Sequence, residues 1–165
     1  MIFETNRLRV RKLHLKDLEG FHKMQSNPKA MQYADGQVKS LELHVIEIKE
    51  LISKYTLANN VFWIYAIVQK SNDAFIGTVA LVKEGTEDEI GYRFLEEYWN
   101  QGFGFEVCDG LISYCRKQGL NKLIAFSIDK NKASVKILEK LNFKAIQQLI
   151  AEELQLPETK YELYL

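Results

Sequence analysis

The chain has 165 residues, with 22 basic and 22 acidic side chains, so no net charge draws it to DNA or RNA. Apolar residues make up 47% of it, enough for one ordinary core, and with no linker-like stretch the whole of 1–165 reads as a single domain. No apolar run is long enough to cross a bilayer, and the charged opening Met1–Arg11 lacks a signal-peptide core, so a cytoplasmic protein without membrane contact is expected.

The first predicted strand is Leu8–Leu13, with Leu8, Val10 and Leu13 as its apolar positions. Asp17 opens a short helix holding Leu18, Phe21 and Met24, and Asn27-Pro28 closes it, because the residue before proline avoids helical backbone. Ser40 is placed to cap a longer helix in which Leu41, Val45, Ile48, Leu51, Ile52 and Tyr55 recur at helical spacing. Phe62–Gln69 and Phe75–Val82, joined by Ser71-Asn72-Asp73, read as an antiparallel hairpin. Asp88–Leu95 is a third strand, with Ile90, Tyr92 and Phe94 on one face and Glu89, Gly91 and Arg93 on the other.

A helix follows Gly104, with Val107, Cys108, Leu111, Ile112 and Cys115 in its apolar stripe and Gly119 as its left-handed stop. Leu123–Ile128 is almost continuously apolar, as in a strand covered on both faces. Asn131 then caps a helix bearing Val135, Leu138 and Leu141, and Asn142 suits its left-handed end. Phe143–Ile150 and Tyr161–Leu165 read as two closing strands. The order β-α-α-β-β-β-α-β-α-β-β describes an α+β domain with a mixed sheet.

The polar chemistry gathers at two junctions. Trp99-Asn100-Gln101-Gly102-Phe103-Gly104 is a glycine turn opening a helix. Such a turn leaves backbone N–H groups free at the positive end of the helix dipole, a ready site for phosphate or pyrophosphate. Asn131-Lys132-Ala133-Ser134 opens the next helix in the same way, which suggests a nucleotide-bearing cofactor lying across the sheet. A plain turn before a helix, and a plain N-cap with a first-turn serine, are the bland alternatives. A dinucleotide fingerprint fits poorly, because Val107 stands where a third glycine belongs and Glu96–Gln101 separates the strand from the turn. A P-loop fails because no Gly-Lys-Ser/Thr follows. Cys108 and Cys115, seven apart on one helix, read as small core residues, and His14, His22 and His44 are scattered, so no metal site is expected.

The segments Glu89-Ile90-Gly91-Tyr92, Tyr98–Glu106 and Asn131–Phe143, in that order and spacing, resemble the GNAT superfamily of acetyl-CoA-dependent N-acetyltransferases. The branch of ribosomal-protein alanine N-acetyltransferases looks closest, and Thr5–Arg11 resembles that branch's first strand. The resemblance spans essentially the whole chain and is densest from Asp88 to Phe143. It implies a mostly antiparallel mixed sheet of six to seven strands with about four helices. It also implies acetyl-CoA as cosubstrate, an amine acceptor, no metal, and a family habit of pairing into homodimers.

Carried onto this chain, the resemblance gives the backbone amides of Gln101, Gly102, Phe103, Gly104 and Phe105 the CoA pyrophosphate. The pantetheine arm would lie in a gap between Asp88–Leu95 and Leu123–Ile128. There it would pair with backbone groups near Phe94, Leu95 and Glu96 and with Asn131. A backbone N–H in that gap would polarise the thioester carbonyl and stabilise the oxyanion. Many members have a tyrosine at the position of Leu138 that protonates the departing thiolate; leucine cannot, and in the ribosomal branch the role falls to the position of Ser134. Asn100 and Asn142 stand where glycines are usual. Direct transfer needs a neutral amine, and Glu89 is the candidate base. Glu106, in a first helical turn, reads as structural. Tyr33 is a candidate for the acceptor pocket. Peptide N-termini, polyamines, amino acids and antibiotics all remain open as acceptors, and the alternative to an enzyme is a sensor of the same fold that binds acyl-CoA without turnover.

Overall fold

The computed structural model describes all residues 1–165. Its strands are β1 Phe3–Glu4, β2 Leu8–Lys12, β3 Phe62–Gln69, β4 Phe75–Glu84, β5 Glu87–Phe94, β6 Lys122–Ile128, β7 Lys144–Ile150 and β8 Pro157–Tyr164. Its helices are α1 Leu18–Gln25, α2 Pro28–Met31, α3 Leu41–Lys54, α4 Phe103–Lys117 and α5 Lys132–Lys140. The strands form one sheet in the order β1-β2-β3-β4-β5-β6-β8-β7. Every neighbouring pair is antiparallel except β5–β6, which is parallel and joined at a single position, Glu89 opposite Ile124.

Period-two patterning puts a separate core on each face of this sheet. In β3, Tyr65 and Ile67 pack with Val107, Leu111 and Leu138 of α4 and α5. Ala66 and Val68 turn the other way, toward Phe21, Met24, Ile48 and Leu51 of α1 and α3. The sheet is therefore a partition. One side carries the α4–α5 layer and the other the α1–α3 layer, and the loosely joined β5–β6 seam is the natural place for a passage between them.

The α+β class and the mixed, mostly antiparallel sheet are as the sequence predicts, with eight strands instead of six or seven and five helices instead of four. The additional strand, β1, has only two residues, paired as Phe3 with Val10 and Glu4 with Arg9, too short to show any period. The additional helix grows from the same dipeptide that ends α1. Asn27 Oδ1 accepts the Lys29 N–H at 2.9 Å and Pro28 takes the first helical position, where a missing N–H is harmless. The last strand starts at Pro157, four residues before the predicted Tyr161, because β6 offers a ladder all the way from Tyr164 to Glu158. Proline is tolerated there as the first residue of a strand.

The capping signals hold. Ser40 Oγ accepts the Leu43 N–H and Asn131 Oδ1 accepts the Ser134 N–H. Gly119 (φ 81°) and Asn142 (φ 66°) end their helices in the left-handed region.

Candidate active site

The turn before α4 is wound by two residues of positive φ, Asn100 at 59° and Gly102 at 80°. Asparagine tolerates that region better than most side chains, which explains how it stands in for a glycine. The helix begins at Phe103, and the Glu106 N–H is the first to find a backbone acceptor, Gly102 C=O at 3.1 Å. The N–H groups of Gln101, Gly102, Phe103, Gly104 and Phe105 make no hydrogen bond within the protein. Five donors thus stand together at the positive end of a 15-residue helix.

Gly104 is a glycine for a packing reason: a methyl group there would lie 2.9 Å from Ile137 Cδ1 and 3.2 Å from Tyr92 Cε2. Its bare backbone lets α4 settle against β5 and α5. Glu106 is tied into the scaffold, accepting Thr5 Oγ1 at 2.6 Å, the Arg7 N–H at 2.7 Å and Arg7 Nε at 2.7 Å. Burial raises the pKa of its carboxyl, but these donors outweigh burial and hold it below the ordinary value. Arg7 also donates Nη1 to the Gln101 carbonyl at 3.0 Å and lies 4.2 Å over the Phe103 ring.

Beyond its one pairing with β6, β5 has a free flank. Leu95 N–H bonds Ile76 C=O, so by ladder alternation the backbone groups of Ile90, Tyr92 and Phe94 face β6. The Phe94 carbonyl is taken by Trp99 Nε1 at 2.9 Å. Of the stretch expected to offer free backbone groups, Leu95 has no N–H to spare and shares its carbonyl with the Tyr98 N–H. The Phe94 and Glu96 N–H groups keep no protein partner, and the open flank of β5 extends back to Tyr92.

Between the two strands lies a crevice of about 140 Å³, lined by Tyr92, Asn131, Ser134 and Leu138 among others. It adjoins a cleft of about 880 Å³ that touches both the turn and the α1–α3 side of the sheet. Of the residues named from sequence, Tyr33, Glu89, Phe94, Gly102, Phe103, Gly104, Phe105, Asn131 and Ser134 line that cleft; Leu95, Glu96 and Gln101 do not.

A family model described as an acetyltransferase (GNAT) domain matches residues 7–144. The chain belongs to the GNAT acetyltransferase family. It is 29% identical over 148 residues to an uncharacterized N-acetyltransferase, YoaA, of Bacillus subtilis, covering 87% of this chain and 82% of that one. Among solved structures, a GNAT-family acetyltransferase from Bacillus anthracis superposes with a TM-score of 0.86 at 20% identity, over 98% of this chain and 97% of the other. The ribosomal L7/L12 alpha-N-protein acetyltransferase RimL, solved in complex with coenzyme A, superposes with a TM-score of 0.83 at 16% identity, over 97% and 95%. The protein is an acetyltransferase, with the fold that its motifs predict.

Within this GNAT domain three titratable groups of the cleft, Glu89, Glu158 and Tyr92, are shifted upward. Burial raises the Glu89 pKa, the nearby Glu84 and Glu158 raise it further, and Lys160 works against them. Burial and Asp129 likewise raise Glu158, which lines the cleft from β8. The Tyr92 phenol is held far above its usual range by burial and lies within reach of the Ser134 hydroxyl. The thiols of Cys108 and Cys115 are buried and pushed up to about 12 by burial, so both stay protonated in the core of this GNAT domain.

Sequence reasoning missed Arg7, Tyr92, Arg93 and Glu158. Tyr92 and Arg93 were placed on their correct strand faces, but nothing local tells which face borders a cavity. Arg7 and Glu158 reach the site from the two ends of the chain, through contacts no spacing rule encodes.

Proposed function

We propose that this GNAT enzyme transfers an acetyl group from acetyl-CoA to a primary amine, either a protein N-terminus or a small molecule, by direct attack in a ternary complex. The observation that carries the reading is the row of five unpaired N–H groups from Gln101 to Phe105, opening next to the gap between β5 and β6. Such a row suits a pyrophosphate, and the adjoining gap suits an extended arm. Acetyl-CoA supplies the activated acyl group as a thioester. Asn131 would hold the arm through its Nδ2, since its Oδ1 caps α5. The Tyr92 N–H would steady the carbonyl oxygen as charge builds on it.

Glu89 would take the proton from the incoming ammonium, directly or through water, and its raised pKa suits a base working near neutrality. Ser134, with the Tyr92 phenol beside it, would return a proton to the departing sulfur. Tyr33, which lines the cleft, would face the acceptor. No step uses Cys108 or Cys115.

The test is CoA titration calorimetry on the wild type and on Gly102→Asp, a substitution that tolerates positive φ and adds a negative charge among the amides. Loss of CoA binding in a folded variant is expected; unchanged affinity would remove the phosphate site. A second reading, an acyl-CoA sensor without turnover, draws on Leu138, which is buried in the core and can donate no proton. Thiol release against a panel of primary amines separates the two.

A further inference from the structure

We propose that the acceptor amine carries a carboxylate, and that Arg93 receives it at the α1–α3 end of the cleft. This rests on the acetyltransferase reading of that cleft. Arg93 sits on β5 opposite Thr78, on the strand face that also carries Gly91 and Glu89. All three residues line the large cleft.

The guanidinium is only partly satisfied. Its Nη1 donates to Gln25 Oε1. Gln25 is itself 5% exposed, and its amide is fixed from the far side, Nε2 donating to Glu47 Oε1 at 3.0 Å. Glu47 in turn meets Lys39 at 3.4 Å. Arg93 forms no ion pair of its own, and its Nε and Nη2 have no partner in the protein. Neither atom is sealed away, since the one fully buried unpartnered side-chain atom in the chain is Asn60 Nδ2.

Arg11 provides the comparison. It is the other inward-facing arginine, and it places both terminal nitrogens on Asp17, at 2.7 and 2.8 Å. Where this fold uses arginine to hold itself together, it supplies a carboxylate. Around Arg93 it supplies one amide and leaves one edge of the fork open, and that edge matches two carboxylate oxygens. Desolvation lowers the Arg93 pKa, and only the more distant Asp35 and Glu47 oppose it. A bound carboxylate would relieve that imbalance, whereas a dianion would be repelled by Asp35, Glu47 and Glu89 together.

The spacing gives the acceptor a direction. Gly91 lies about 7 Å and Glu89 about 13 Å from Arg93 along the strand. Between them the floor is Gly91 beside Ala80, where even a methyl group on Gly91 would only reach the Ala80 methyl at 4.0 Å. A cation at one end, an open floor and a candidate base at the other fit a short amino acid, its carboxylate on Arg93 and its amine toward Glu89.

The test uses ω-amino acids from glycine to 6-aminohexanoate, each paired with its carboxamide, with thiol release from acetyl-CoA as readout. At one or more lengths the acid should exceed its amide by about tenfold or more in kcat/KM, through KM, and Arg93→Gln should bring that ratio close to one. Arg93→Lys should restore part of it. Calorimetry of the same pairs on CoA-loaded protein decides for lengths that are not turned over. Equal handling of acid and amide at every length, or a ratio unmoved in Arg93→Gln, overturns the proposal. CoA affinity, measured alongside, tells whether the variant keeps its fold. Failure to bind CoA at all would count against the acetyltransferase reading, while tight CoA binding without acid–amide discrimination would count against the carboxylate alone.

Discussion

Arg7 Nε donates to Glu106 Oε2 at 2.7 Å across 99 positions of sequence, joining the β1–β2 turn to the mouth of α4. The same guanidinium holds the Gln101 carbonyl at 3.0 Å. In a trans peptide the carbonyl and the following N–H point in opposite directions, so this bond aims the Gly102 N–H away from Arg7 and toward the cleft. Arg7 thus orients part of the donor row without belonging to it.

Arg7→Ala should therefore weaken CoA binding by roughly tenfold and destabilise the fold by about 1–2 kcal/mol, because charged hydrogen bonds at Glu106 are lost as well. Arg7→Lys should recover little, since an ammonium cannot span both acceptors as a fork does. Calorimetry with CoA and chemical denaturation check the two parts. A variant that loses stability but keeps its CoA affinity would show that the turn keeps its shape unaided.

Glu89 gives a pH prediction with a definite sign. Its folded pKa lies above 4.5, so the folded state prefers the protonated form. Stability should fall as pH rises from the ordinary carboxylate range through the raised folded value, and stay lower above it. Glu89→Gln should accordingly raise Tm at neutral pH, with the gain vanishing in acid below both values. The same substitution should lower kcat by about 100-fold, and the acid limb of the wild-type rate profile should sit above 4.5. Thermal melts and pH–rate profiles of both proteins test this. A Tm difference that grows toward low pH would contradict it.

Ser134 and Tyr92 should behave as one unit. Ser134→Ala and Tyr92→Phe are each expected to lower kcat about 10- to 100-fold with little change in KM for acetyl-CoA. If they share one proton path, the double variant should be no slower than the worse single one. Multiplicative losses in stopped-flow thiol release would mean that they act separately.

A stability prediction lies far from the turn. Asp17 is 3% exposed and accepts both terminal nitrogens of Arg11 and the His14 N–H at 2.8 Å. Asp17→Asn strands a half-buried arginine and should destabilise the fold by about 3 kcal/mol, a Tm drop of roughly 6–12 °C, with CoA affinity unchanged. Replacing both partners by apolar residues of similar volume should recover most of that loss.

The elements were legible wherever a local cause sets them. Ser40 and Asn131 announce helix starts because their side chains cap N–H groups three residues on. Gly119 and Asn142 announce ends because few other residues adopt their backbone. The glycine turn before α4 was legible as a donor site for the same reason: the free amides follow from chain geometry alone. Gly104 is instructive in the other direction. In the sequence it reads as one of the amides of the donor turn, but its missing side chain also makes room for Ile137 and Tyr92.

The sequence alone determined the longer strands and helices, which residues share a face, and where a row of amides would stand open, but not the two-residue β1 or the single-turn α2. Those features depend on neighbours within a few positions, and the physics of capping, periodicity and turns acts over that range. Only the tertiary structure decided that β5 and β6 meet at one position and then part, that Arg7 and Glu158 come in from opposite ends of the chain, and that Arg93 faces a cleft with half its fork unpaired. Alternation says that residues lie on one side of a sheet, but what covers that side is settled by packing between segments far apart in the chain.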